Sequence, residues 1–354
     1  MYTGKERVLK AFARKKADRL PVFDVVNQPQ MYETLLGVSN YASNGRLCVQ
    51  LAKKLGMDAV TVHSAPYTCL IPPKDQFDSE NTFTDRFGLK FQVTDTSWPL
   101  GMIKGHREAD AEFLKILKNA EVTDEDVRQV KEAVEEAGDE IAVFGSVRGT
   151  FGFLFIALGL ENMTYAMYDE PELLLEIIEA ADAFWTKLGL KLIEAGCTAL
   201  YVANDMGMNG RTLLSPAQLR AFFFPSLRRQ IATWKAAGGK VLFHSCGNVD
   251  AILEELAEMG IDALNNIQVH SGMNLQSVKA RIGHKVTIVG NVDATGVMCG
   301  NDKNEIRDAI SQVVDTAGND GGLIIATDHS FHEGIPMENV LYFLETAKEI
   351  GRFV

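Results

Sequence analysis

A chain of 354 residues with 46% hydrophobic and 23% charged residues has the balance of a globular protein, which excludes a disordered or fibrous chain. Its formal net charge of −12 excludes a broad nucleic-acid-binding face, and a polyanionic substrate would need its own cluster of arginines. No apolar run is long enough to span a bilayer and the polar start is unlike a signal peptide, so the expected setting is the cytoplasm, without nucleic acid or membrane, and with the five scattered cysteines reduced.

Residues 6–16 have the apolar spacing of an amphipathic helix, and Pro21 then opens a short strand at 22–25. Further short runs rich in β-branched residues follow at 59–63, 141–145, 199–204, 241–246, 263–267, 286–291 and 323–328. Helical patterns lie between them, at 170–194, 216–236, 249–259, 304–317 and 336–350. Strands that are hydrophobic without internal alternation suit a parallel sheet covered on both faces, and eight of them closed on themselves predict an α/β fold, a (β/α)8 TIM barrel. An open doubly wound sheet fits less well, because no glycine-rich loop follows the first strand. One segment breaks the alternation between the second and third strands. Residues 83–106 read as a β-hairpin and 108–137 as two acidic helices, an insertion of about 78–137.

The fifth predicted strand ends in His244-Ser245-Cys246-Gly247-Asn248. On a strand, positions two apart face the same way, so His244 and Cys246 converge, and Gly247 lets the chain turn away. The other predicted strand ends carry Asp24 and Asn27, His63, Arg148, Asn204 and Asp205, Asn265 and Gln268, Asn291 and Asp293, then Asp328, His329 and His332. Capping and loop satisfaction account for Asp24, Asn265 and Gln268 at least as well as function does. A third metal ligand is expected from another strand end, with His329 the choice; His332, Glu333, Cys299 and Cys69 compete. Imidazole and thiolate together suit zinc, and three protein ligands with one open position suit catalysis.

These residues resemble a known family. His244-Ser245-Cys246-Gly247-Asn248, with Gly290-Asn291-Val292-Asp293, the closing Gly334-Ile335-Pro336-Met337-Glu338-Asn339, and the opening Arg7-Val8-Leu9-Lys10-Ala11 and Asp18-Arg19-Leu20-Pro21-Val22, is similar to the uroporphyrinogen decarboxylase superfamily. The resemblance spans nearly the whole chain and implies a single barrel domain over 1–354. That superfamily divides into decarboxylases, which carry an arginine-rich segment after the first strand, and zinc-dependent methyltransferases that work with a corrinoid. Here that segment reads Val26-Asn27-Gln28-Pro29-Gln30-Met31-Tyr32, without arginine, which sets the decarboxylase reading second.

The methyltransferase branch implies Zn2+ on His244 and Cys246, and a corrinoid (cobalamin) carried by a partner protein. Thiol-methylating members take a cysteine near the last strand as third ligand, where this chain has His329. Two histidines and one thiolate leave zinc formally at +1, a stronger Lewis acid than the neutral set with two thiolates. The expectation is therefore demethylation of a methyl ether on zinc, the methyl passing to cobalt, with methylation of a thiol or tetrahydrofolate as the alternative. Asp205, His63 and Asn204 are the candidate catalytic groups, and Arg148, Tyr201, Asn291 and Asp24 the candidate substrate-binding groups. Met206, Met208 and 222–224 are apolar enough to line the corrinoid's approach, although core packing explains the phenylalanines better. A non-catalytic partner of a corrinoid protein is the remaining reading, and a homodimer is compatible with all of them.

Overall fold

The computed structural model describes residues 2–38, 44–65, 71–72, 74–94 and 101–353. Cys69 and the predicted Trp98-Pro99-Leu100 part of the hairpin lie outside these described residues. The strands are β1 (Val26–Asn27), β2 (Ala59–His63), β3 (Thr82–Thr84), β4 (Lys90–Val93), β5 (Gly101–Ile103), β6 (Ala142–Arg148), β7 (Ala199–Ala203), β8 (Gly207–Met208), β9 (Arg211–Thr212), β10 (Val241–His244), β11 (Ala263–Asn265), β12 (Thr287–Val292), β13 (Leu323–Thr327) and β14 (Phe331–His332). The helices are α1 (Gly4–Phe12), α2 (Pro29–Leu36), α3 (Gly45–Leu55), α4 (Ala111–Asn119), α5 (Arg128–Ala137), α6 (Thr150–Asp169), α7 (Pro171–Glu194), α8 (Pro216–Gln218), α9 (Phe224–Ala236), α10 (Leu253–Glu258), α11 (Leu275–Ile282), α12 (Lys303–Ala317) and α13 (Met337–Ile350). Among the described residues, no helix is long and apolar enough to cross a membrane.

Seven strands form one parallel sheet in the order β13-β12-β11-β10-β7-β6-β2, with helices packed on its outer face. Strands β6, β7, β12 and β13 are buried along their whole length, as a sheet covered on both sides requires. The eighth stave is shorter than the predicted strand at 22–25. Val22 bridges Ile325 in parallel, the Ile325 N–H donates to the Pro21 carbonyl at 2.9 Å, and on the other side the Asp58 N–H donates to the Val22 carbonyl at 2.8 Å. The ladder stops there because the Asp24 carboxylate takes the Thr327 N–H at 2.7 Å, a donor that a continuing strand would have used. Pairing resumes further out between β1 and β14. The result is a TIM-barrel fold whose first strand is reduced to a bridge.

The lower end of the barrel is filled. Thr3 and Glu6 form a capping box that starts α1, and α1 ends by placing Phe12 against Phe144 of β6, ring centroids 6.1 Å apart. Phe23 meets the same ring edge-on at 5.0 Å, and the Thr287 hydroxyl donates to the Ala11 carbonyl at 2.7 Å. Beside this plug, Asp58 accepts from Arg7 (3.1 Å), from Arg19 (2.6 and 3.0 Å) and from the Val22 N–H (2.8 Å), which ties the opening segment to the barrel seam.

The expected hairpin is a three-stranded antiparallel sheet, β3-β4-β5, joined to α4. It is pinned to α6 at a kink where Gly159 has φ +70° and the His106 ring lies so close that a Cβ would stand 2.6 Å from its Cδ2. Helix α5, expected as part of the insertion, packs on α3, β2 and β6 as the barrel's own crossover helix. The long helix expected at 216–236 is divided. A π-turn at Leu219–Phe223 separates α8 from α9, because the Phe224 N–H reaches back five residues to the Leu219 carbonyl and Pro225 has no N–H to offer.

Candidate metal centre

His244 closes β10, and Cys246 stands just past it at the C-terminal end of the sheet, the end where barrels gather their chemistry. The Cys246 Sγ lies 3.5 Å from the His244 Nε2, and the Asp205 Oδ1 lies 3.5 Å from the same nitrogen. Among the described residues, these are the His, Cys, Asp and Glu donors that gather closely enough to hold a metal, all three atoms within 4.8 Å of one another. Asp205 is held in place by the Cys246 N–H, which donates to its Oδ1 at 2.8 Å. Gly247 then takes φ +76° and passes so close to Gly207 that a Cβ would stand 2.2 Å from its carbonyl carbon. The hairpin of β8 and β9 is thereby laid against the cysteine's loop.

The hydrogen bonds assign the histidine tautomer. Asn265 of β11, in register with His244, donates its Nδ2 to the Val289 carbonyl at 3.3 Å, so its Oδ1 faces the imidazole, 2.7 Å from Nδ1. Tyr201 of β7 donates its hydroxyl to the same Oδ1 at 3.0 Å, so its oxygen, 2.6 Å from Nδ1, is left to accept. The proton therefore sits on Nδ1, shared between two acceptors, and Nε2 presents a bare lone pair to Cys246 and Asp205. A metal-ligating histidine is held in this way, with its far nitrogen donating to a fixed partner. Asn266 adds an Nδ2 at 4.0 Å from the Cys246 Sγ.

Burial, and then the Asp205 charge, push the Cys246 thiol well above its ordinary range, so a nearby dication is what would make it a thiolate. Burial raises Asp205, but His244, the Cys246 N–H and Arg148 more than offset this and leave it below the ordinary carboxylate value. Burial and then the Arg148 charge lower His63 to about 3, so its imidazole is neutral. Burial raises Asp24 to about 7 against the opposing N–H bonds from Thr327 and Val25, with Asp328 adding to the rise.

The remaining candidates are distributed around the mouth. His329 lies within electrostatic reach of His244 and Asp205 and is lowered to about 4, chiefly by burial, but its Nδ1 is turned to the Ser330 hydroxyl at 2.9 Å and it stands outside the three-donor group. His332 places Nε2 at 3.3 Å from the Ala294 carbonyl, Cys299 donates to that carbonyl, and Glu333 is exposed. Asn204 accepts the Gly152 N–H at 2.7 Å and serves the first turn of α6. Asn291 donates to the Ile267 carbonyl at 2.9 Å, and Asp24 binds the Thr327 and Val25 N–H groups. Met206, Phe223 and Phe224 are buried in the core, while Met208 is exposed at the rim. From the sequence, Asp205 is expected as a catalytic group and Asn265 as a loop group. The signal for both is strand order, since β7 and β11 flank β10 directly, whereas β13 stands three strands away.

The model of the uroporphyrinogen decarboxylase family matches residues 3–350, and the chain belongs to that family. Uroporphyrinogen decarboxylase of Nostoc punctiforme is 28% identical over 224 residues, covering 61% of this chain and 60% of that protein. The chloroplastic uroporphyrinogen decarboxylase 2 of Arabidopsis thaliana is 26% identical over 241 residues, 65% of this chain and 58% of that protein. The match thus spans little more than half the length of these curated relatives. Among solved structures, a methyltransferase from Methanosarcina mazei shares the fold with a TM-score of 0.74 at 18% identity, over 99% of both chains. A B12-independent methionine synthase from Shewanella sp. W3-18-1 does so at 0.53 and 12% identity, over 86% of this chain and 85% of the other. At these identities the likeness is one of fold.

Proposed function

We propose that the chain is a zinc-dependent methyltransferase that moves a methyl group between a small substrate and a corrinoid carried by a separate protein. The observation that carries this reading is the convergence of the His244 Nε2, Cys246 Sγ and Asp205 Oδ1 at the barrel mouth, with the imidazole proton fixed on the opposite nitrogen. Imidazole, thiolate and carboxylate are a donor set that zinc accepts, and three of them leave a position open to substrate. Zinc bound there supplies a Lewis acid to the substrate heteroatom, and the corrinoid supplies cobalt as the other partner in methyl exchange. Tyr201 and Asn265 keep the His244 lone pair aimed at the metal, and Asp205 is a ligand in this reading rather than an acid or base.

One imidazole, one thiolate and one carboxylate around a dication are formally neutral. The preference for an ether donor over a thiol acceptor, which followed from the +1 charge of a two-histidine set, therefore loses its ground. Porphyrinogen decarboxylation, the activity in the names of the curated relatives, is less well supported. The segment after the first strand carries no arginine, and its Gln28 is buried with its amide donated to the Ile335 carbonyl at 2.7 Å.

The test is elemental analysis joined to cobalt spectroscopy. The purified chain is expected to hold about one zinc, lost in Cys246→Ala. With Co(I) cobalamin and a panel of methyl ethers and methylamines, or with methylcobalamin and thiols, it is expected to interconvert Co(I) and methyl-Co(III). A chain that takes up no zinc and leaves the cobalt spectrum unchanged in both directions removes the proposal.

A further inference from the structure

Four of the large hydrophobic side chains that the described residues leave exposed lie within one short stretch, Leu160, Tyr165 and Tyr168 on α6 and Leu175 on α7. They occupy the half of α6 beyond its kink at Gly159, the far end from the turn that meets Asn204, and the first turns of α7. On that half Met163, Ala166 and Met167 are buried, so Tyr165 and Tyr168, three residues apart, share the outer face. Tyr168, 74% exposed, and Leu175, 41% exposed, stand on either side of the joint between the two helices. An ordinary surface helix keeps its outer face polar. Here that face carries aromatic and aliphatic side chains.

Leu175 borders a groove of about 580 Å³ on the surface of α7, shared with Ala180 and with Lys118 of α4, and open to solvent. Glu172, Glu176 and Glu179 line it as well, and with Leu175 they form one stripe of α7. Six carboxylates stand along this part of the two helices, on Glu161, Asp169, Glu170, Glu172, Glu176 and Glu179. Lys118 pairs with Glu176 at 2.9 Å, Arg229 pairs with Glu179, and Glu161 accepts the Tyr165 hydroxyl at 3.1 Å. Asp169, Glu170 and Glu172 form no ion pair among the described residues. The face is thus an apolar strip with a surplus of negative charge. A two-fold contact with a second copy would set that surplus against itself, because such a contact pairs a patch with the same patch.

We propose that this face of α6 and α7 is a docking surface for a basic amphipathic helix of a partner protein. The helix seats its apolar side chains in the groove, against Leu175, Ala180 and Tyr168, and its lysines or arginines meet Asp169, Glu170 and Glu172. The charge of the face selects the sign of the partner, and the groove selects apolar anchors spaced at helical intervals. Tyrosine suits such a contact, since its ring buries a large apolar area while its hydroxyl stays in polar surroundings. The surface lies outside the metal centre and does not rest on the methyltransferase reading.

Fluorescence anisotropy on the full chain tests this with three labelled peptides of about 18 residues at about 0.15 M salt. One has lysines on one helical face and leucines on the other, one has the same composition with its leucines spread around the helix, and one has glutamate in place of lysine. The first is expected to bind about tenfold or more tightly than the other two. Tyr168→Ser combined with Leu175→Gln is expected to weaken it about tenfold, with melting temperature and zinc content unchanged. Asp169→Asn combined with Glu172→Gln is expected to weaken it a few-fold and to reduce its salt dependence. Failure of the first peptide to bind, equal binding of the peptide with spread leucines, or an affinity unchanged by the Tyr168 and Leu175 substitutions overturns the docking surface. So does a dimer of the parent chain, seen by sedimentation and lost with those same substitutions, which assigns the face to a second copy.

Discussion

The two ends of this barrel use the same residue types for opposite purposes. At the lower end Asp58 is 2% exposed and accepts four hydrogen bonds, from Arg7, twice from Arg19 and from the Val22 N–H. Every lone pair is matched, and the network has nothing to offer a ligand. At the mouth Asp205 has one backbone donor, His244 turns a bare nitrogen toward it, and Cys246 brings a sulfur to the same point. A buried charge that is fully matched closes a seam, whereas donors that converge with lone pairs left over await a cation.

The largest effects are expected where that contrast is sharpest. His244→Ala or Cys246→Ala should take bound zinc from about one per chain to near zero and abolish methyl exchange, because two ligands rarely hold zinc. Asp205→Ala should lose most of the metal while His329→Ala retains most of it, read as zinc content after dialysis; the reverse pattern would return the third position to His329. At the other end, Asp58→Asn leaves Arg19 without its carboxylate, while Arg7 keeps Asp18, whose oxygens accept from it at 2.7 and 2.8 Å. Breaking a buried pair from one side costs about 3 to 5 kcal/mol. Urea unfolding should show that loss, with zinc content unchanged in the protein that remains folded.

The barrel is largely legible in the chain, since short β-branched runs separated by amphipathic helices leave few other folds. The His-x-Cys tip is legible for a local reason, as two positions on one strand share a face whatever the rest does. What is harder to read depends on neighbours distant in sequence. The strand at 22–25 shortens because Asp24, not backbone, receives the Thr327 N–H, some three hundred residues further on. The third donor depends on strand order and ring direction: β7 lies beside β10, while His329 follows a strand three places away and turns its Nδ1 to Ser330. Asn265 looks like a loop group until β11 is set in register against His244.

A pH profile probes a third kind of buried carboxylate, one that is matched but still protonated. Asp24 is raised from 3.8 to about 7. Between those values the unfolded chain has released the proton that the folded chain keeps, so the stability contribution falls as pH rises from about 4 to 7 and is level above, by at most about 1.4 kcal/mol per unit. His63, lowered from 6.5 to about 3, works in the opposite sense, since the unfolded chain takes up a proton that the folded chain refuses. The two offset over pH 4 to 6.5. Asp24→Asn should break that balance. The stability of the variant relative to the parent should climb from pH 4 to 7 and then stay constant, in urea titrations across that range. A difference independent of pH would mean that Asp24 ionises as an ordinary carboxylate.

The smallest expected effects concern the groups that only aim the metal-binding nitrogen. Asn265 and Tyr201 both accept from the His244 Nδ1–H, at 2.7 and 2.6 Å, and the Tyr201 hydroxyl also donates to Asn265. Removing Asn265 therefore unsettles the tyrosine as well as the histidine, whereas removing the hydroxyl leaves the amide oxygen in place. Loss of such a supporting partner costs about 10- to 100-fold in metal affinity. Asn265→Leu should fall in that range and Tyr201→Phe below it, measured by competition with a zinc chelator. The double variant should not be additive, because the two residues form one network around one proton. Equal and additive losses would mean that they act separately on the fold, and the assignment of the proton to Nδ1 would then lack its support.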